Sequence, residues 1–264
     1  MNKITINNTD YQVTNPTRFD DFWKHVGSGQ WESSTINAIT KNLKSGDVYI
    51  DIGAWIGPTV LAAASTGCIV HAYEPDPVAF AELSANISAN KIDGITLNNA
   101  ALFDRHGEMS FGSGRGDSLG DSISSLMNGY GSIQVPVRDI AQEQMQDFFK
   151  SCKLLKIDVE GAEYVIMPRM ASYLSEYKPS LLLSIHGIRT AGYPGFTGFL
   201  KMIAHRLMIL NIISMYKYQF IENRRGWLDS NASWVKFGLR KKINFVLSAR
   251  GNRELMLSNS QMLY

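Results

Sequence analysis

The sequence predicts a doubly wound α/β domain: a mostly parallel sheet of the seven-stranded type, carrying a small β-hairpin and loop insertion and a helical N-terminal cap. Three observations carry that expectation. From Val48 onward, short apolar runs alternate with helix-spaced segments, the order that builds a parallel sheet with crossover helices. The first run leads into a glycine-bearing turn, Asp51-Ile52-Gly53-Ala54-Trp55-Ile56-Gly57, and Pro58 follows in a position suited to the first turn of a helix. Later runs end on acids or a histidine, at Glu74, Asp158 and His186. In open α/β sheets such strand ends face the ligand crevice.

Residues 1–46 read as a polar start followed by helical material, because Trp23 and Val26, then Ile36, Ile39 and Leu43, recur at helical spacing. Ser45-Gly46 closes this cap, and residues 47–264 form the main domain. Its first strand is expected at Val48–Ile52 and its second at Cys68–Tyr73. Asp76-Pro77 is an N-cap and first-turn pair, and Phe80, Leu83 and Ile87 mark the buried face of the helix it starts. A third strand is expected at Ile95–Leu102, then two short ones at Met109–Phe111 and Ile133–Val137. Between these two lies a Gly/Ser-rich stretch, 112–131, with the composition of a lid-like loop. Parallel order resumes with Leu154–Asp158, a helix after Gly161, and Leu181–Ile185. The last strands are expected at Lys217–Ile221 and Asn244–Ser248, and 188–231 is the expected acceptor-side segment.

Composition narrows the function. With 45% hydrophobic and 19% charged residues the chain has the make-up of a soluble globular protein. A formal net charge of +2, with basic clusters only at Arg224-Arg225 and Arg240-Lys241-Lys242, argues against a nucleic-acid partner. Cys68 and Cys152 flank apolar runs and read as buried, reduced thiols. The first residues lack an apolar targeting core, so a cytoplasmic location is expected and the sequons at Asn7, Asn86 and Asn231 carry no meaning. Phe199–Tyr216 is apolar but interrupted by Lys201, His205 and Arg206. It reads as a buried amphipathic helix rather than a membrane span.

The turn at Asp51–Gly57 and Glu74 together favour a ligand carrying adenosine. Glycines admit a ligand close to the backbone, the following helix offers free N–H groups, and an acid at the second strand end can take both ribose hydroxyls. A dinucleotide fingerprint has three glycines around a pyrophosphate, whereas this turn has two, preceded by Asp51. A carboxylate there suits the ammonium of S-adenosylmethionine better than the phosphates of NAD.

Together with Tyr73-Glu74-Pro75 and the run Leu155-Lys156-Ile157-Asp158-Val159-Glu160-Gly161-Ala162-Glu163, this turn resembles the FkbM family of methyltransferases. The likeness extends from about Asp47 to His186, roughly half the chain. It implies a class I fold and S-adenosyl-L-methionine as cofactor, with S-adenosyl-L-homocysteine as product. The implied reaction is O-methylation of a sugar, glycan or other small hydroxyl compound. It further implies that Asp51, Gly53, Ala54, Trp55 and Gly57 surround the methionine moiety. Glu74 and Pro75 would hold the ribose side, and Ala101 would lie beside the adenine. Two residues depart from the family pattern: Trp55 stands where asparagine is usual, and Ser184 where a glutamate often precedes the final histidine.

Methyl transfer from a sulfonium needs an aligned nucleophile and removal of its proton. His186 is the expected proton acceptor, and Asp158 is expected to orient the substrate, touch the cofactor or bind a metal. A divalent metal is possible but not expected, since no His/Asp/Glu set with ligand spacing accompanies Asp158 in the sequence. Glu160 and Glu163 are expected to shape the helix start. Two alternatives stay open: an adenosine-binding protein without turnover, and a serine hydrolase through Ser118 in Gly116-Asp117-Ser118-Leu119-Gly120. The latter motif lacks the strand and helix that a nucleophile elbow needs.

Overall fold

A computed structural model describes residues 2–14, 19–113, 119–127, 133–186, 195–221, 243, 246 and 253–260. The N-terminal segment is more than a helical cap. It opens with a hairpin of β1 (Asn2–Ile6) and β2 (Thr9–Val13), paired antiparallel through a two-residue turn. Asn7 and Asn8 occupy that turn with φ of 48° and 61°, the left-handed region that two-residue hairpins require. Helices α1 (Asp20–Gly27) and α2 (Ser33–Asn42) follow, burying Trp23, Val26, Ala38 and Ile39.

The main sheet begins with β3 (Val48–Ile52), buried at every position as expected of a strand covered on both faces. After the glycine turn come α3 (Pro58–Ala64), β4 (Ile69–Tyr73) and α4 (Pro77–Ala89). Asp76 caps α4 as expected, its carboxylate accepting from the Val78 and Ala79 amides. The single strand expected at Ile95–Leu102 is two. Strand β5 (Ile95–Asn98) pairs with β4, and β6 (Ala101–Phe103) leaves for a second sheet. The break falls at Asn99, whose amide donates to the carbonyl oxygens of Glu74 and Pro75 and so turns the chain across the end of β4.

The second sheet adds β7 (Gly107–Phe111) and β8 (Ile133–Asp139), with β8 in the centre. Short helices α5 (Ile140–Glu143) and α6 (Asp147–Lys150) lead to β9 (Cys152–Ile157). Then come α7 (Glu163–Arg169), α8 (Ala171–Glu176), β10 (Ser180–Ile185), the long α9 (Gly195–Ser214), β11 (Tyr218–Ile221) and β12 (Arg253–Ser258). The last strand thus lies later than expected. Val246, the one described residue of the stretch 244–248 expected to be a strand, is helical.

The seven strands run in the order β11-β12-β10-β9-β3-β4-β5. The five from β10 to β5 are parallel, and β12 is antiparallel to both its neighbours. The order reverses between β3 and β9, which places a crevice at the carboxyl ends of those strands. The period-two alternation of each strand divides the core in two. Ile50, Ile52, Leu155, Ile157 and Leu183 face Tyr164, Met167 and α9. Tyr49, Val70, Ala72, Leu154 and Leu182 face α1 to α4.

Helix α9 is long and apolar enough to cross a membrane by length and composition. Met202, Arg206, Ile209, Ile212 and Ile213 are buried on its inner face. Phe196, Leu200, Leu207 and Met208 are exposed, so the helix is less amphipathic than expected. Cys68 and Cys152 are buried free thiols.

Candidate cofactor and active site

A cavity of about 330 Å³ opens at the carboxyl ends of β3, β4, β9 and β10. Gly53, Ala54, Trp55, Glu74, Pro75, Ala101, Asp158 and His186 all line it. Asp51 and Gly57 are not among the lining residues, and their positions explain why.

The turn after β3 alternates left-handed residues, with φ of 89° at Gly53, 49° at Trp55 and 96° at Gly57. Both glycines serve packing. A Cβ at Gly53 would lie 1.8 Å from the Asp158 carbonyl oxygen, and one at Gly57 would lie 2.5 Å from the Leu83 side chain. Gly53 therefore lets the end of β9 pass directly beneath the turn, which brings Asp158 to the cavity. Trp55 occupies the left-handed region without glycine's freedom, a strain of roughly 1–2 kcal/mol that asparagine tolerates better. Its ring meets Phe22 and Phe19 at centroid distances of 4.6 and 5.5 Å, and its Nε1 donates to the Gly120 carbonyl at 3.0 Å. One side chain thereby ties the turn, the N-terminal helices and the insertion together.

Asp51 does not reach the cavity. It is fully buried, and its oxygens are already engaged by three donors. Tyr49 OH and Thr59 Oγ1 donate to Oδ2, and Lys156 Nζ lies 3.2 Å from Oδ1. The expected contact with a ligand ammonium is thus replaced by a structural role, holding Lys156. That lysine also donates to the Gly53 carbonyl at 2.9 Å and sits 3.8 Å from Asp158 Oδ2. Burial opposes its charge, but Asp51 and Asp158 more than offset it and raise its pKa. Lys156, absent from the sequence expectation, lines the cavity.

Glu74 is 6% exposed at the end of β4. Its Oε2 accepts from the Trp55 amide and its Oε1 from the Asp76 amide, each at 2.8 Å. A second lone pair on each oxygen remains for a diol. Burial pushes its carboxyl up to about 7, with the neighbouring Asp76 charge adding to the rise. The two amide bonds and Lys156 pull the other way.

At the other end of the cavity, the chain beyond β9 turns back on itself at Glu160, with φ of 50°. That turn aims the Glu160 carboxylate at His186 Nε2, 3.1 Å away, and Asp158 Oδ1 lies 3.7 Å from the same nitrogen. His186 Nδ1 is 2.8 Å from Glu163 Oε1. Glu163 does shape the helix start as expected, accepting from the Val159 and Gly161 amides, but Glu160 belongs to the site. Burial of His186 disfavours its charge. The Glu163 charge, the contacts with Glu160 and Glu163, and the Asp158 charge prevail and push it up to about 12. That rise works against the neutral imidazole that the expected role as proton acceptor needs. The structure also supplies the His/Asp/Glu grouping not evident in the sequence: one ligand atom each from Asp158, Glu160 and His186 lies within 4.8 Å of the others.

Phe22, Trp31 and Glu32 of the N-terminal segment form one further wall, and Asp121, Ser122 and Ser124 of the insertion form another. The described middle of the stretch 112–131 is anchored. Gly112 and Ser125 form a β-bridge, the Gly120 amide donates to Asp76, and Ser125 Oγ donates to the Glu160 carbonyl. Ser118 lies outside the described residues.

A family model described as the methyltransferase FkbM domain matches residues 51–219. A ribosomal protein L11 methyltransferase of Anoxybacillus flavithermus is 38% identical over 77 residues, 28% of this chain and 25% of that protein. A tRNA (guanine(37)-N(1))-methyltransferase of Pediculus humanus subsp. corporis is 39% identical over 75 residues, 28% of this chain and 16% of that one. The chain thus spans about a quarter or less of the length of these curated relatives. Among solved structures, a methyltransferase FkbM from Methylobacillus flagellatus aligns with 81% of this chain and 44% of its own, at 16% identity and a TM-score of 0.46. The family match covers more than half of the chain and includes the turn, Glu74, Asp158 and His186, and on it the chain belongs to the FkbM family of S-adenosylmethionine-dependent methyltransferases.

Proposed function

We propose that this chain methylates a hydroxyl of a sugar, glycan or other small hydroxylated compound. The observation that carries the reading is the two-ended cavity, with Glu74 at one strand end and Asp158, Glu160 and His186 at the neighbouring ones. S-adenosylmethionine supplies a methyl group already activated by its sulfonium. Glu74 accepts the ribose hydroxyls, with Pro75 and Ala101 beside the adenosine. The Lys156 ammonium pairs with the methionine carboxylate. Glu32, on the wall beside it, takes the ammonium that the buried Asp51 cannot reach.

Phe22 and Trp31 line the same cavity as Asp121, Asp158 and Glu160, and the acceptor is assigned to them. Ring faces cover the apolar side of a sugar while carboxylates accept its hydroxyls, a mainly apolar site with a few placed polar groups. Asp158 and Glu160 orient the reacting hydroxyl, whose proton leaves as the methyl is transferred. The same carboxylates repel phosphates, which disfavours a transfer RNA such as the one named for one distant relative.

Calorimetry with S-adenosylhomocysteine and a turnover assay following its formation test both halves. Saturable binding and turnover with hydroxylated small molecules are expected. Turnover confined to RNA or protein would overturn the acceptor assignment. Absence of cofactor binding would overturn the whole reading.

A further inference from the structure

We propose that Asp158, Glu160 and His186 form a divalent-metal site at the acceptor end of the cavity. The inference deepens the methyl-transfer reading and rests on it. Asp158 and Glu160 follow β9, and His186 follows the adjacent parallel strand β10, so neighbouring strand ends deliver the three side chains to one point. The Glu160 and Asp158 oxygens stand 3.1 and 3.7 Å from His186 Nε2. Adjacent ligands on an octahedral ion with bonds of about 2.1 Å stand about 3 Å apart, so small side-chain shifts close the set.

A second observation is the mounting of the histidine. His186 is 3% exposed, and its far nitrogen, Nδ1, is fixed by Glu163 at 2.8 Å. The Val159 and Gly161 amides in turn hold Glu163. Once a metal displaces the Nε2 proton, the proton on Nδ1 shared with Glu163 fixes the ring and directs the Nε2 lone pair, the carboxylate–histidine–metal arrangement that orients imidazole ligands. The backbone at His186 is held as well, its carbonyl accepting from Tyr164 OH at 2.8 Å, while Arg206 Nε donates to that phenol at 2.9 Å. Three carboxylates surround one imidazole, and even with the Lys156 ammonium 3.8 Å from Asp158 the cluster keeps a net negative charge that favours a cation.

The donor set selects the metal class. Two carboxylates, one imidazole and positions open to the cavity suit Mg²⁺ or Mn²⁺, which keep several exchangeable ligands. Those open positions define the acceptor as a compound with two adjacent oxygens, such as a vicinal diol, able to replace two waters. Coordination makes the bound hydroxyl more acidic, so its proton leaves to water. The acceptor oxygen then bonds to the methyl carbon as the carbon–sulfur bond breaks. The electron pair stays on sulfur, and S-adenosylhomocysteine, the methyl ether and one released proton balance the step.

Mn²⁺ titrated into the whole protein without cofactor, followed by electron paramagnetic resonance, tests the site. One bound Mn²⁺ per chain is expected. Glu160→Gln and Asp158→Asn should each weaken it at least about tenfold. Glu163→Gln should weaken it 10–100-fold, the usual effect of losing a partner behind a histidine ligand. Calorimetry of each variant with S-adenosylhomocysteine in chelator should still give saturable binding, which shows that the fold is intact. Unbound Mn²⁺ in the wild type, with S-adenosylhomocysteine binding intact, overturns the metal site and leaves the methyl-transfer reading standing. Equal Mn²⁺ affinity in the wild type and both carboxylate variants also overturns it, by placing the ion elsewhere.

Discussion

Glu74 makes cofactor affinity depend on pH in a direction that its surroundings dictate. Its carboxyl is pushed up to about 7, first by burial and then by the Asp76 charge, against the two amide bonds and Lys156. A ribose diol donates to the carboxylate, so cofactor binding must remove any proton still on it. Affinity therefore rises with pH and levels off above about 7. For a single site titrating at about 7, the dissociation constant at pH 6 exceeds that at pH 8 by about tenfold, or about 1.4 kcal/mol. Near pH 7 about half a proton is released per cofactor bound, which calorimetry in buffers of different ionisation enthalpy reads directly. Glu74→Gln should flatten the profile while weakening affinity at pH 8 by roughly 1.5–3 kcal/mol, the range for a hydrogen bond to a charged group. In the free protein the sign is opposite. A carboxyl with a raised folded pKa contributes stability that is present below its unfolded value near 4.5 and lost as pH rises through about 7. Equal S-adenosylhomocysteine affinity at pH 6 and pH 8 in the wild type, or the same slope in Glu74→Gln, would refute the assignment.

Two further substitutions test the support behind the cavity. Lys156→Met strands the Asp51 charge, which is fully buried with only Tyr49 and Thr59 hydroxyls left to it. Urea unfolding should show a loss of about 3–5 kcal/mol, the usual effect of breaking a buried pair from one side, and a loss below about 1 kcal/mol contradicts that account. Trp55→Phe keeps a ring against Phe22 but removes the bond to the Gly120 carbonyl. Faster hydrogen exchange over 119–127 is expected, with a stability change of about 0.5–1.5 kcal/mol; unchanged exchange there would show that the loop is anchored by its other contacts.

The parts of this protein that could be read from its sequence are those whose signals are local. Val48–Ile52 as a strand, Pro58 opening a helix, Asp76 capping the next, and Glu74, Asp158 and His186 at strand ends each follow from a few neighbouring residues. The N-terminal hairpin was equally local and was missed. Asn7-Asn8 sits between the alternating pairs Ile4, Ile6 and Tyr11, Val13, a two-residue turn signal that the helix-spaced residues further on obscured. What local reading could not reach was the state of each site group. Asp51 turns inward because Lys156, 105 residues away, meets it in the core. The charge on His186 is set by Glu160 and Glu163, whose approach needs the left-handed turn at Glu160. Trp55 shows the same limit most clearly. The ring fits because Phe19 and Phe22 arrive from the cap and Gly120 from the insertion, two segments far from the turn and from each other in the chain. A residue that strains its own backbone is explained only by partners distant in the chain. The acceptor end, built from those same distant segments, is accordingly the part of the site where sequence position says least about chemistry.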